Sequence, residues 1–346
     1  MHEHLHGDAV ARSLAATGSR VIDFAVSVNP LGPCPALTKV LKEVDPQGYP
    51  DPACEEARES LGAHVGVSRE RLVLGNGASE LLWTLARVLQ AQDHDRALVV
   101  EPAFGEASSA AKAYGQTPVR FRVDDPTRVD PASLKATIDD ANPSFVYVAN
   151  PTSPWGRTWS VALLAELIES TQPVPWIVDE SFLSLSSAHQ DARFPLPESA
   201  IRLHSLGKAL GLAGVRAAYA TVSPDLADRI RATRPPWTVN AYALAVVHAV
   251  AESRAWIADS RETLLALTGQ LRQLLEPTNL RLESSQAIYG VMSVGNATSV
   301  AEHLLGDHHI AVRDCTSFGM PEHIRVCARP QADLEKLVAA IGEVCR

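Results

Sequence analysis

Between Asp179 and Arg216 the chain carries an acid, a hydroxyl, a lysine and an arginine, most of them at the ends of apolar runs. Asp179 closes WIVD. A second short strand, predicted over 201–203, leads into Ser205, then Lys208 inside a Gly-rich turn, then Arg216. A lysine amine can hold an aldehyde as a Schiff base, and an Asp can keep a pyridine nitrogen protonated so that the ring draws off electrons. Ser and Arg can hold a phosphate, Arg through two parallel donors. Together these four abilities suit one cofactor, pyridoxal 5'-phosphate (PLP). Each residue alone has an ordinary reading, a solvated lysine or a helix cap, so the assignment depends on what other strands bring.

Several strands do bring candidates. RLVLGNGASELLWTLARVL reads as strand, glycine turn and helix, with Leu81, Leu82, Leu85, Val88 and Leu89 at helical spacing. Gly75, Gly77, Ala78 and Ser79 sit where that helix begins, so free backbone N–H groups there could receive a phosphate. ALVVEPAFGEASSAAKAYG repeats the pattern and leaves Phe104 past a strand end, where an aromatic could stack on a planar ring or pack in the core. FVYVANP ends at Asn150, which could bond a phenolic oxygen or the turn its own proline imposes. A helix over 161–170 leads to the strand ending at Asp179. Alternation at this density predicts an α/β fold, a largely parallel sheet with helices on both faces, and ligands bind beyond the carboxyl ends of such strands. Gly77, Phe104, Asn150, Asp179 and Ser205 all take that position.

The remaining chain bounds the answer. At 346 residues it can form a large domain with a smaller companion. Residues 1–45 read as an N-terminal arm with part of a small domain, 46–235 as a large cofactor domain, and 236–346 as an interdomain helix with a small α+β domain. In that last part, strands over 290–294, 309–313 and 323–327 alternate with helices over 299–305 and 331–344. A net charge of −9 argues against a nucleic-acid partner. No apolar run is long enough to span a bilayer, and the N-terminus has no hydrophobic signal region. Five cysteines without a CxxC pair suggest reduced thiols in the cytoplasm. No metal site is expected, since His2, His4 and His6 read as a solvated end.

With these pieces in place the chain resembles the fold-type-I PLP enzymes of the histidinol-phosphate aminotransferase group, and more narrowly the threonine-phosphate decarboxylases of cobalamin biosynthesis. The resemblance rests on HGD, DFAVSVNPLGP, YPDP, LGNGASEL, EPAF, NP at 150–151, DESF, SLGK with AGVR, PPWTVNA, VRDC and RVCAR. It implies that Lys208 binds the cofactor covalently, that Asp179 pairs with the ring nitrogen, that Phe104 stacks on the ring and that Asn150 bonds its hydroxyl. The phosphate would lie against Gly77, Ala78 and Ser79 with Ser205 and Arg216. Tyr49 would reach the site of a neighbouring subunit, which implies a homodimer with shared sites. Arg313 and Arg325 would receive substrate carboxylate and phosphate. His6, Ser27, Asn29 and Arg329 would stand near the substrate.

Departures from the group's pattern lie mostly around the substrate. NPNNPTG is here NPTSPWG, which puts Trp155 near the site; SLTK is SLGK; Pro-Gly before Arg216 is Ala213-Gly214; Ser27 replaces an Asn; and Ile288-Tyr289 stands for an Asn-Phe pair. Three residues after the essential Asp, aminotransferases of the group usually carry a Tyr whose hydroxyl bonds the ring oxygen. Here Phe182 stands there, as is common in the decarboxylases. Losing that donor should raise the pKa of the lysine–cofactor linkage and favour decarboxylation. An aminotransferase is the second expectation. A regulatory PLP-binding domain is a third, disfavoured because fewer than fifty residues, without a basic helix-turn-helix, precede YPDP.

Overall fold

The computed structural model describes residues 21–90, 94–189 and 196–345. β1 is Ile22–Asp23. The large sheet uses the next seven strands: β2 Leu72–Asn76, β3 Arg96–Glu101, β4 Thr117–Arg122, β5 Val146–Ala149, β6 Trp176–Asp179, β7 Ala200–Ser205 and β8 Ala217–Thr221. Their order is β2-β8-β7-β6-β5-β3-β4, and only β8 runs against its neighbours. The α/β architecture expected from strand–helix alternation is therefore the one observed.

Alternation along the central strands builds a core on each face. Val99, Tyr147, Ile177 and Leu203 face helices Ala78–Leu89, Glu106–Ala113 and Pro224–Thr233, while Leu98, Val146, Val148, Trp176 and Val178 face Pro131–Ala141 and Val161–Ser170. Helix starts carry their own stop signals. Asp130, Ser160 and Ser223 each accept a hydrogen bond from a first-turn N–H, and Pro131 and Pro224 occupy first helical positions.

The C-terminal strands are β9 Tyr289–Ser293, β10 Ile310–Ala311, β11 Arg313–Asp314 and β12 His323–Cys327. β11, β12 and β9 form an antiparallel sheet, and β10 pairs with β1 in parallel. The strand expected over 309–313 is thus two pieces in different sheets, divided at Val312. That division turns Arg313 to pair with Arg325 across β11 and β12. Phe24 packs into the C-terminal core with Leu304, Ile324 and Leu337, whereas Cys34 and Leu37 pack with Leu61, Leu72 and Tyr219. The N-terminal segment crosses between cores within those ten or so residues. Helix Arg254–Leu275 makes the return link, with Ile257 at one core and Leu271 and Leu275 at the other. Among the described residues no helix is long and apolar enough to cross a membrane.

Candidate active site

The carboxyl ends of the parallel strands open into a cavity of about 670 Å³ walled by both parts of the chain. Gly77, Ser79, Phe104, Asp179, Phe182, Ser205, Lys208 and Arg216 line it from the large sheet. Ser27 lines it from the N-terminal segment, and Arg313 and Arg325 from the C-terminal strands. Among the described residues, four cationic side chains therefore face a single carboxylate, a balance that suits anionic groups.

The phosphate-binding candidates converge at one end. Gly77 has φ +86°, and a Cβ there would collide with the Arg216 guanidinium, so only glycine admits this approach. Arg216 itself has φ +63°, a left-handed conformation in which a long side chain is strained and which the surrounding fold must hold. Its Nη1 donates to the Ala213 carbonyl at 3.2 Å. Lys208 lies in the one-turn helix Leu206–Ala209, where an open turn was expected, and the Ser205 hydroxyl makes no capping bond to that turn. Ala78 turns its side chain to the core and offers this end only its backbone at the helix start.

Asp179 and Lys208 stand deeper. Asp179 is buried, its Oδ1 accepting the Ser181 N–H at 2.9 Å and its Oδ2 the Tyr147 hydroxyl at 2.7 Å. Burial pushes the Lys208 amine down from 10.5 to about 8, with Arg325 and Arg216 adding to the fall and Asp179 opposing it. Its Nζ lies 3.8 Å from the centroid of the Phe182 ring. That ring, a phenylalanine with no hydroxyl to offer the lysine, meets Tyr289 edge-on at 4.9 Å. Beside Asp179, Glu180 is held by Arg202 through two bonds of 2.9 and 3.0 Å, which fixes the strand end from the neighbouring strand.

The opposite wall carries the arginines. Arg325 is buried, its Nη1 donating to Ser153 Oγ at 3.1 Å and its Nη2 to the Ala25 carbonyl at 2.9 Å. Arg313 donates to Ser317 Oγ at 2.8 Å, with its guanidinium 5.1 Å from the Phe318 ring centroid. Burial and the neighbouring Arg325 pull its pKa down. The two cations are cross-strand neighbours, an arrangement that costs energy unless anions sit between or beside them. Among the described residues Arg325 Nε is buried without a hydrogen-bond partner.

Several expected residues lie elsewhere. Asn150 accepts the Trp159 N–H on Oδ1 at 3.0 Å and does not line the cavity; Pro151 and Ser153 do. Asn29 donates Nδ2 to the Ala209 carbonyl at 3.0 Å and its backbone N–H to the Lys208 carbonyl at 2.9 Å, so it braces the lysine turn. Arg329 binds the carbonyls of Val26 and Ala328, both at 3.0 Å. Neither lines the cavity; Arg329 fastens Val26, and Asn29 anchors the end of the segment 25–28, which does line it. Trp155 packs against Val291, Cys315 and Met320 rather than the cavity. Tyr49 is 85% exposed, tilted against Trp237, and outside this chain's own cavity. His6 lies outside the described residues.

Sequence reading missed Tyr147, Ser153, Ser317 and Phe318, all of which line the cavity. Only Ser153 left a signal. Set against NPNNPTG, NPTSPWG puts Ser153 at the Asn just before PTG, three places beyond Asn150. The others depend on strand register and on a short 3-10 turn, Thr316–Phe318.

Residues 19–341 match the model of the aminotransferase class I and II family, and the chain belongs to that family. Its fold is that of the fold-type-I PLP enzymes, and its cofactor is PLP. A Caldanaerobacter subterraneus subsp. tengcongensis protein, provisionally named threonine-phosphate decarboxylase, is 27% identical over 91% of this chain and 88% of its own length. Histidinol-phosphate aminotransferase of Moorella thermoacetica is also 27% identical, over 94% of this chain and 85% of its own. The solved histidinol-phosphate aminotransferase of Sinorhizobium meliloti in complex with pyridoxal-5'-phosphate superposes with a TM-score of 0.87. It is 21% identical, over 99% of this chain and 95% of that one. The cavity fits PLP: a lysine with a softened amine, a fixed carboxylate, a glycine–arginine cradle and an aromatic side chain at its wall.

Proposed function

We propose that this enzyme decarboxylates a phosphorylated amino acid, with L-threonine O-3-phosphate as the leading substrate and (R)-1-amino-2-propanol phosphate as the product, in cobalamin biosynthesis. The observation that carries this reading is Phe182 against Lys208 Nζ. A position that carries a hydroxyl in the aminotransferases is apolar here, and the lysine meets a ring face.

Bound PLP supplies an electron sink for the pair released when a bond at the substrate's Cα breaks. Arg313 and Arg325 would select that bond by taking the substrate's two anionic ends, and such positioning can lower a barrier by up to roughly 7–11 kcal/mol. Lys208 Nζ would return a proton to Cα after CO2 leaves, a task for which a pKa of about 8 is suited. Arg216, Ser205 and Ser79 would hold the cofactor phosphate, Phe104 its ring face and Ser153 its ring oxygen. The active unit is a homodimer in this reading. Tyr49 and Trp237, exposed together, would meet the second subunit, and a single monomeric species in sedimentation would remove that part.

Histidinol-phosphate-type aminotransfer is the second reading, supported by relatives of equal identity. Incubation with threonine phosphate should release CO2 without forming glutamate from 2-oxoglutarate. Glutamate formation from histidinol phosphate without CO2 release would overturn the proposal. Phe182→Tyr provides the matching variant. It should lower the pH at which the cofactor's visible band titrates and cut CO2 release about tenfold, by placing a donor near the ring oxygen.

A further inference from the structure

We propose that Tyr147 is a positioning residue for the cofactor's ring nitrogen and acts through Asp179. The inference rests on the cofactor and holds for either reaction. β5 and β6 are parallel, with Tyr147 level with Ile177, so the next side chain along β6 on the same face is Asp179. Tyr147 is fully buried, and its hydroxyl meets Asp179 Oδ2 at 2.7 Å while the Ser181 N–H holds Oδ1 at 2.9 Å. Each carboxylate oxygen thus has one fixed donor, which sets the carboxylate plane before a ring arrives. The tyrosine also lines the cavity itself.

The chemistry follows from the donor. Tyr147 is kept protonated by burial, by the Asp179 charge and by the bond to it. A hydrogen bond to the ionised form of a buried acid favours that form. The phenol therefore stabilises the charge on Asp179, which would leave the proton shared between carboxylate and pyridine on the ring nitrogen. Without the phenol that charge loses a donor, and the proton would move towards Asp179. Electron withdrawal by the ring, which depends on a protonated nitrogen, falls with it.

The test uses holoenzyme loaded with PLP carrying nitrogen-15 in the ring, with no substrate present. In Tyr147→Phe the nitrogen resonance should move towards the unprotonated form, and PLP affinity should drop roughly ten- to hundredfold. With 3-fluorotyrosine at position 147, a stronger donor of nearly the same shape, the resonance should move the opposite way. The fluorinated protein decides alone if Tyr147→Phe fails to fold. Resonances matching the wild type in both proteins, even with activity lost, would overturn the proposal and leave Tyr147 a packing residue. Because no substrate is used, failure of the decarboxylase reading leaves this test untouched.

Discussion

Lys208→Ala is expected to lose the visible band of covalently bound PLP and to reduce CO2 release by roughly a hundred- to ten-thousand-fold. Two properties of the site give this size. The amine is the group poised to hold the cofactor and to return a proton, and its pKa of about 8 raises the neutral fraction near pH 7 roughly 300-fold over an ordinary lysine. Covalent uptake of PLP by the apo-protein should accordingly rise with pH and level off above about 8. A rate still climbing towards 10.5 would show that the amine is not softened.

The same shift predicts an opposite effect on folding. The unfolded chain keeps this proton up to about 10.5, and the folded chain releases it near 8. Burial of the ammonium therefore costs the apo-protein about 3 kcal/mol below pH 8, and the cost fades as pH rises to 10.5. Lys208→Ala apo-protein should be more stable than wild type at pH 7, with the difference shrinking by pH 10. Urea unfolding at the two pH values measures it. A variant that is inactive and yet more stable separates function from structure at one residue.

Arg325→Ala should lower kcat/KM by about 30- to several-thousand-fold while PLP stays bound. That range corresponds to the roughly 2–5 kcal/mol lost when one partner of a buried, hydrogen-bonded charge pair is removed. Arg325 joins three parts of the chain at the cavity: β12, Ser153 after β5, and the Ala25 carbonyl. Its removal takes away the proposed anion site and loosens the wall at 25–29. Arg325→Lys separates the two effects, since a lysine keeps the charge and loses the planar fork. Partial recovery in Arg325→Lys points to charge, and none points to bidentate geometry. An Arg325→Ala enzyme with unchanged kcat/KM would remove Arg325 from the substrate site.

Much of the large sheet was legible because most of its strands are short apolar runs ended by a glycine, proline or polar cap; β4, TPVRFR, is half exposed and gave no such signal. Lys208, Asp179, Ser205, Arg216 and Gly77 were legible for the same reason, since a residue just past a parallel strand falls at the ligand-binding edge. Asn29, Asn150 and Arg329 were expected as ligand contacts and do not line the cavity. Their residue types suit ligands and backbone carbonyls or amides equally, and nothing local says which partner lies nearer. Each makes its bonds to backbone that the fold brings alongside.

The sequence by itself determined the α/β class, the cofactor and the glycine–arginine end of the cavity, because those rest on local strand–turn–helix units. The tertiary structure decided what local patterns could not. Arg313 pairs with Arg325 only because the chain breaks at Val312 and changes sheets. Tyr147 reaches Asp179 only because β5 and β6 take one particular register. Phe182 meets the lysine amine only because the Lys208 turn and the end of β6 converge. Sheet register and the approach of distant segments depend on the packing of the whole chain, and these set how the lysine, the carboxylate and the arginines face one another.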